Sequence, residues 1–409
     1  MCPNDFTDIY FLQWGRYCYY ILIFFVALLT NLDTQGRDKY NQCISYKNFR
    51  IGEMIMNKTL QTSPSPLLSK ERDYWFDNAK AILITAVVVG HLANGIFSTS
   101  TPWVVALQKY IYVFHMPVFM IISGRFAKKR IDRGDWITVI NKLIVPYVVL
   151  QTLMLLLYSA MEYGSTSSFS YFKPLFGLWY FFTIAVYSLI SPYIVRFKWA
   201  LPVSLIVGLG VGFLPNVFYG GFHRIFCFYP FFLFGYYSFG QDFRFCKKIW
   251  FRIISVAVII ATGLLVLKYN KSISFELLCM NKVYEFVAKD VDTTIFGAFL
   301  MNIARYLAGF LFFFFILGVT PSKKSFFSYI GTNSSYVYAL HLFLIVLLRA
   351  VDADHDVLRV LTNKWLLLAY CFSGIPIAFI LASKPVRKCT RFFVEPDFDI
   401  RRIIKKLTD

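Results

Sequence analysis

Ten apolar runs follow one another along this chain from residue 79 onward, and each ends at charged or turn-forming residues. A helix needs about 20 residues to cross roughly 30 Å of hydrocarbon, and most of the runs approach that length. The predicted spans are residues 79–98, 103–123, 140–160, 175–195, 200–218, 225–240, 250–268, 295–319, 335–350 and 365–383. With 57% hydrophobic and 16% charged residues, the composition does not fit soluble domains. We therefore predict an all-α polytopic membrane protein, a bundle of ten transmembrane helices.

The basic residues between the runs predict the orientation of this bundle. Alternate loops and the C-terminal tail hold 21 Lys and Arg residues, whereas the remaining loops hold nine. Cytoplasmic loops are enriched in Lys and Arg, so both ends of the ten-helix unit are predicted to face the cytoplasm. In so apolar a chain, a formal charge of +19 is more typical of cytoplasmic loops than of nucleic-acid contacts. We expect a multi-pass protein of the plasma membrane, with the lipid bilayer and no nucleic acid as a partner.

The segment before the first run has a different character. Residues 18–32 are apolar but short for a span, and residues 33–70 are polar with a Ser-Pro-Ser-Pro stretch typical of a linker. Three interpretations stay open: an additional anchor helix, a signal-like segment, or a region upstream of a true start near Met56. The predicted division is an extension over residues 1–70, a membrane domain over 71–385 and a basic cytoplasmic tail over 386–409.

Ionisable residues inside the predicted spans are candidates for function, because lipid makes them costly. Lys80 and His91 are eleven positions apart, about three helical turns, so they project from one helix face about 16 Å apart. That spacing suits a ligand with an anionic head and a long arm, such as coenzyme A. The alternative is that Lys80 snorkels and His91 packs against a neighbouring helix. The other ionisable residues of this kind are His115, Arg305 and His341.

Further signals are a polar stripe, the cysteines and one loop histidine. Ser334, Tyr338 and His341 follow at i, i+4 and i+7, so they share a face that is either part of a pocket or a structural network. The eight cysteines form no C-x-x-C pair and predict neither a disulfide framework nor a metal site. His223 lies between two runs without metal-ligand spacing, and we interpret it as a surface residue.

Several motifs, taken in order, resemble the acyltransferase 3 family of ten-span membrane O-acyltransferases. They are R-D-Y-W-F-D-N-A-K ending at Lys80, V-V-V-G-H ending at His91, F-H-M-P-V-F-M-I-I-S-G from Phe114, L-W-Y-F from Leu178, F-F-L-F-G ending at Gly235, and N-S-S-Y-V-Y-A-L-H ending at His341. The resemblance covers about residues 70–385 and is greatest to the fucose 4-O-acetylase-like members. The chain has Lys80 where the family often carries arginine, and it matches the family's Arg-x-x-Arg loosely, at Arg130 and Arg133 or at Lys142.

The resemblance implies an enzyme that moves an acetyl or other acyl group from cytoplasmic acetyl-CoA to a hydroxyl of a cell-envelope sugar or glycan. His91 is then the expected base or acyl carrier, and His115 an orienting or second proton-transfer group. The residues expected to bind coenzyme A phosphates are Lys80, Arg125, Arg130 and Arg133. The expected pocket residues are Asp77, Trp179, Arg224, Arg305, Ser334, Tyr338 and His341.

Acetyl-CoA is expected as a substrate and not as a tightly bound cofactor, and no metal is expected. An alternative function is a transporter or flippase for a glycan or lipid-linked sugar, which buried polar residues would also suit, although no two-fold internal repeat is evident. A channel or a structural membrane protein would leave the spacing of Lys80 and His91 unexplained.

Overall fold

The computed structural model describes residues 73–95, 101–161, 170–214, 222–355 and 364–396, which belong to one structural unit, Asp73–Asp409. Every regular element within these ranges is a helix. The apolar segment 18–32, Met56 and the end of the predicted tail lie outside the described residues.

Each predicted span contains at least part of one helix. In chain order the helices are α1 (Tyr74–Gly95), α2 (Pro102–Asp132), α3 (Trp136–Ala160, with a π-helical turn at Ile140–Ile144), α4 (Trp179–Ile194), α5 (Ala200–Gly210), α6 (Phe222–Tyr237), α7 (Ile249–Lys268), α8 (Phe275–Cys279), α9 (Tyr284–Asp290), α10 (Ile295–Val319), α11 (Ser328–Thr332), α12 (Ser334–His355), α13 (Lys364–Phe372), α14 (Gly374–Ala382) and α15 (Lys384–Val394).

Seven helical stretches in the described ranges are long and apolar enough to cross a membrane. They are Tyr74–Asn94, Pro102–Asp132, Trp136–Ala160, Phe176–Ile194, Ile249–Lys268, Ile295–Val319 and Trp365–Ala382. The all-α polytopic membrane fold is thereby confirmed. The number of ten spans stays a prediction, because α5, α6 and the apolar part of α12 are shorter than these seven.

The helix α2 extends nine residues beyond the predicted end of the second span at residue 123. The end of the second span predicted at residue 123 places Arg125 and Arg130 in a loop, which was wrong, because both lie in this helix. A sequence scan ends a span at its first charged residues, but an ion pair of 2.9 Å between Lys128 and Asp132 supports the last turn of this helix. Asp135 then begins α3 by accepting a hydrogen bond from the backbone of Thr138.

Close approaches between helices depend on glycines. A Cβ atom at Gly124 would overlap the carbonyl oxygen of Phe232, and one at Gly235 would overlap that of Ile121, so α2 and α6 cross with their backbones in contact. A Cβ atom at Gly331 would likewise overlap the Asp77 carbonyl oxygen of α1. Since α1 also packs against α2, α12 and α14, it lies at the centre of the bundle.

The connection between α7 and α10 is not a simple loop, because it contains the short helices α8 and α9. Ser274 caps α8 by accepting a hydrogen bond of 3.3 Å from the backbone of Leu277. Met280 ends this helix in the left-handed conformation, with φ of 48°, and is only 3% exposed. The polypeptide chain therefore turns sharply after Cys279 and returns towards the bundle.

Candidate functional site

A cavity of about 160 Å³ lies near the end of α1 that carries His91. Its walls come from α1, α2, α4, α6, α8, α12 and the turn before α4. The lining residues are Val87, His91, Asn94, Tyr112, His115, Met116, Phe176, Gly177, Trp179, Arg224, Phe228, Phe275, Glu276, Leu278, Cys279, Asn281 and Tyr338. A protein cavity of roughly 150 Å³ can hold benzene, so this one accommodates a group of ring size and not a whole coenzyme A.

His91 faces this cavity from α1, and its Nδ1 atom has no hydrogen-bond partner among the described residues. Its ring lies 5.1 Å from that of Phe176 and 5.2 Å from that of His341, at interplanar angles of 86° and 87°. Burial of a polar nitrogen without a partner costs free energy, and the His91 ring itself lies in the cavity lining, so this imidazole is a candidate for contact with a substrate.

The other two histidines of the site are oriented by their own helices. Nδ1 of His115 lies 2.8 Å from the Ile111 carbonyl oxygen, and Nδ1 of His341 lies 2.9 Å from that of Val337. A carbonyl only accepts, so in both rings Nδ1 is the donor and Nε2 of the neutral ring is an acceptor. The His341 Nε2 has no partner among the described residues. His115 and His341 therefore have defined tautomers, whereas no backbone carbonyl among the described residues accepts a hydrogen bond from Nδ1 of His91.

The aromatic side of the cavity is built around Trp179. The guanidinium of Arg224 lies 4.9 Å from its ring, and the ring of Phe228 packs against it at 5.3 Å. Tyr338 donates a hydrogen bond to the Gly177 carbonyl oxygen and thereby ties α12 to the turn before α4. These contacts position the two predicted pocket residues Trp179 and Tyr338 in the cavity wall.

Eight of the predicted site residues lie outside this cavity lining, and three of them belong to α10 and α12. His341 contacts the ring of His91 from behind the wall. Arg305 is 4% exposed and lies behind Phe228, 5.4 Å from its ring. Ser334, at the start of α12, is not in the cavity lining, so the polar stripe reaches the site only through Tyr338 and His341.

The predicted coenzyme A ligands lie elsewhere. Lys80 forms an ion pair of 2.8 Å with Asp77, and its ammonium group is 5.0 Å from the ring of Phe126. Arg125 donates to the Ser238 carbonyl oxygen, and its guanidinium packs over Phe76 at 4.8 Å. Because the rings of Phe76 and Phe126 are themselves in contact at 5.9 Å, Lys80 and Arg125 share one aromatic cluster.

The remaining two predicted phosphate ligands differ from each other in exposure. Arg130 donates a hydrogen bond of 2.9 Å to the Ser188 hydroxyl of α4, and its Nε atom is buried without a partner among the described residues. Arg133 is exposed at the end of α2. Neither of these two, nor Lys80, Asp77 or Arg125, is among the cavity-lining residues.

Sequence reasoning missed several site residues. They are Asn94, Tyr112, Phe176, Glu276, Cys279, Asn281 and Arg349. The sequence signals for most of them are weak. Aromatic residues are abundant in this chain, and Glu276, Cys279 and Asn281 belong to no recognisable motif. Arg349 had the clearest signal, a cation near the end of an apolar helix: its Nε and Nη2 atoms are buried without partners among the described residues, and its guanidinium lies 4.9 Å from the Phe176 ring.

The interpretation of His223 as a surface residue was wrong. It is 7% exposed, because α6 begins before the predicted span and buries it, and its Nδ1 donates to the Met280 carbonyl oxygen at 3.0 Å.

Cys279 also lines the cavity. Burial raises the pKa of the Cys279 thiol to about 12, so this cysteine is protonated at neutral pH and is not a thiolate nucleophile.

Comparison with known proteins identifies the chain by family. Residues 73–383 match the acyltransferase 3 family, described as an acyltransferase domain. The nodulation protein NolL of Mesorhizobium japonicum is 36% identical over 108 residues, which cover 25% of this chain and 29% of that protein. The nodulation protein NolL of Sinorhizobium fredii is 29% identical over 154 residues, which cover 34% of this chain and 42% of that protein.

The matched segments thus span less than half the length of these curated relatives. No solved structure matches the chain. The family match, in contrast, extends across the helices from α1 to α14 and includes all residues that line the cavity. The chain belongs to the acyltransferase 3 family.

Proposed function

We propose that this protein is a plasma-membrane acyltransferase that moves an acetyl group from cytoplasmic acetyl-CoA to a hydroxyl of a cell-envelope sugar or glycan. The observation that carries the proposal is the imidazole of His91 in the lining of the cavity, within a chain of the acyltransferase 3 family. An imidazole in this position is free to accept a proton or an acyl group.

In the general-base form of the reaction, His91 removes the proton of the acceptor hydroxyl as the oxygen attacks the thioester carbonyl. A carbon–oxygen bond forms, and the former carbonyl oxygen becomes negatively charged. Collapse of this intermediate breaks the carbon–sulfur bond, and the imidazolium returns the proton to the departing thiolate. The products are the sugar ester and coenzyme A, and His91 is again neutral.

In the acyl-carrier form, the His91 imidazole attacks the thioester first. Coenzyme A leaves with the proton of that imidazole, and the acceptor hydroxyl then attacks the acyl-imidazole, to which its proton is transferred as the carbon–nitrogen bond breaks. Both forms need a neutral imidazole, and both pass through an oxyanion. The two forms differ in whether the acyl group is ever bound covalently to the protein.

The charges around His91 support stabilisation of an oxyanion. Two permanently charged side chains, Arg224 and Arg349, act electrostatically on its imidazole. Arg224 lines the cavity itself, and two nitrogens of Arg349 have no hydrogen-bond partner in the part of the chain that the structure describes. Fixed cations in a site shielded from water stabilise developing negative charge more than they would in bulk water. These side chains are therefore our candidates for oxyanion stabilisation.

Donor binding is proposed at the opposite end of α1, where Lys80 lies about three turns from His91. A coenzyme A phosphate would compete with Asp77 for the Lys80 ammonium group, while the flexible arm would extend towards the cavity. The small volume of the cavity is consistent with entry of the acetyl end alone.

The test is a transfer assay with the detergent-purified protein, acetyl-CoA radiolabelled in the acetyl group and a panel of methyl glycosides that begins with methyl α-L-fucopyranoside. Label in an ester of a sugar is expected. Label retained by the protein without acceptor indicates the acyl-carrier form, whereas its absence indicates the general-base form. Glycoside transport in proteoliposomes without any transfer of label would instead support a transporter and overturn the proposal.

A further inference from the structure

The end of α8 is held by basic side chains from two neighbouring helices. Arg305 of α10 donates to the Leu278 carbonyl oxygen from Nε at 3.3 Å and from Nη2 at 3.0 Å. Arg224 of α6 donates to the next carbonyl oxygen, that of Cys279, at 3.2 Å. His223 donates to the third, that of Met280, at 3.0 Å.

These contacts have a common physical cause. The last carbonyl groups of a helix have no partners within the helix and carry partial negative charge, so cationic donors are favourable there. The left-handed conformation of Met280 turns the chain at this point. Hydrogen bonds from guanidinium groups are among the strong ones in a buried setting, and Arg305 is 4% exposed. The segment Phe275–Asn281, which we call the roof, is therefore fixed against α6 and α10.

The roof supplies polar groups to the cavity. Glu276, Cys279 and Asn281 line it together with Phe275, and Glu276 is the only carboxylate among the described side chains of the lining. The Asn281 amide donates to a Glu276 carboxylate oxygen at 3.3 Å. The ring of Phe275 packs against that of Tyr112 at 4.7 Å, which joins the roof to α2 beside His115.

The chemistry of these groups distinguishes between the two substrates. A carboxylate only accepts hydrogen bonds, so it needs a ligand that offers donors. The acetyl thioester group itself has no N–H or O–H donor, whereas a sugar ring offers several hydroxyl groups. An anionic group on the ligand would be repelled by Glu276, so the hydroxyls next to it belong to an uncharged part of the acceptor.

We propose that the roof is the acceptor-binding wall of the site, and that Glu276 and Asn281 recognise hydroxyl groups of an uncharged acceptor sugar ring. This inference rests on the proposed acyl transfer to a sugar. It assigns the two substrates to different walls: the acceptor to the roof, and the donor to the side of α1 that leads towards Lys80.

The experiment compares Glu276→Gln and Asn281→Ala with the unmodified protein in the transfer assay, with acceptor and acetyl-CoA varied separately. Glu276→Gln preserves the size of the side chain and a contact with Asn281, so folding is expected to survive. Loss of a hydrogen bond to a charged group corresponds to roughly a 10- to 100-fold change, expected here as a rise in the KM for the best methyl glycoside. The KM for acetyl-CoA is expected to change by less than about twofold, since the donor does not contact the roof.

The matched control is Glu285→Gln. Glu285 is a carboxylate of the same connection, but it is exposed and paired with Lys289, and it does not line the cavity. An unchanged acceptor KM in both roof variants would overturn the inference while leaving acyl transfer intact, as would an equal rise in both KM values. Transfer to no glycoside by the unmodified protein would overturn the proposed function and this inference together.

Discussion

The imidazole rings of His91 and His341 stand almost perpendicular, with centroids 5.2 Å apart, although they come from the first and the twelfth helix of the chain. The His341 ring is held by the carbonyl of Val337 one turn before it, and it leaves an acceptor nitrogen without a partner among the described residues. Two imidazoles thus meet beside the cavity, one oriented by its own helix and the other facing the substrate space.

Replacement of His91 by glutamine is expected to abolish transfer. Glutamine retains hydrogen-bonding capacity but accepts no proton at neutral pH, and loss of a general base costs about 10²- to 10⁴-fold in rate. The measurement is kcat with saturating acetyl-CoA and glycoside. Thr85→Val is the control, because it removes a buried hydroxyl of the same helix that has no partner among the described residues and lies outside the cavity lining. Near-normal turnover of the His91 variant would contradict the mechanism.

Replacement of His341 tests whether its nitrogen atoms or its ring matter. We expect His341→Gln to lower kcat by roughly 10-fold, less than the loss for His91, because it affects the orientation of His91 and not the proton transfer itself. His341→Phe retains an aromatic ring against His91 but removes both nitrogens. If this variant is as active as the unmodified protein, the contact serves packing alone.

Replacement of Lys80 tests donor binding at the far end of α1. Lys80→Ala is expected to raise the KM for acetyl-CoA about 10-fold through loss of a charged contact, with the acceptor KM unchanged. Lys80→Arg keeps the charge and should largely preserve binding. Equal damage from both substitutions would indicate that the contacts with Asp77 and Phe126 serve packing and not the donor.

The anchoring of the roof is tested through stability. Arg305→Ala leaves the carbonyl of Leu278 without its donor, and a buried unpaired polar group costs about 1–3 kcal/mol. A lower Tm in detergent is expected, together with faster hydrogen exchange of the backbone amides of residues 275–281. Arg196→Ala is the control, since the side chain of this exposed arginine donates only to the Pro192 carbonyl oxygen of the preceding α4 among the hydrogen bonds described. Unchanged exchange in the Arg305 variant would show that the roof does not depend on this side chain.

The crossing of α2 and α6 makes a prediction about packing. Gly124→Ala would drive a methyl group into the backbone of Phe232, and overpacking of this kind costs about 1–3 kcal/mol or more. Gly263→Ala, in the middle of α7, meets nothing closer than 3.8 Å, so it should be neutral or slightly stabilising because alanine favours helix. Thermal unfolding in detergent checks both, and similar Tm values would exclude a close backbone contact at Gly124.

Much of the fold follows from local properties of the sequence. Apolar runs predict helices in a membrane because backbone groups must be satisfied without water, and each predicted run contains at least part of a helix. The helical period likewise predicts from the sequence alone that Lys80 and His91 lie on one face of α1. The end of α2 was mispredicted, since hydropathy decreases at Arg125 whereas the helix continues to Asp132 through side-chain pairing and contacts with α6.

The candidate site, like the fold, has a part that the sequence predicts and a part that only the tertiary structure defines. The sequence by itself determined the membrane class, the family and the histidines, because these depend on composition, period and ordered short motifs. Only the tertiary structure decided which residues share the cavity. It brought His341 to His91 and separated Ser334 and Arg125 from them. It also placed Glu276 and Asn281, from the connection between α7 and α10, in the cavity wall. The reason is that hydrogen bonds such as those from Arg224 and Arg305 to α8 join positions distant in sequence, and no local pattern encodes such pairings.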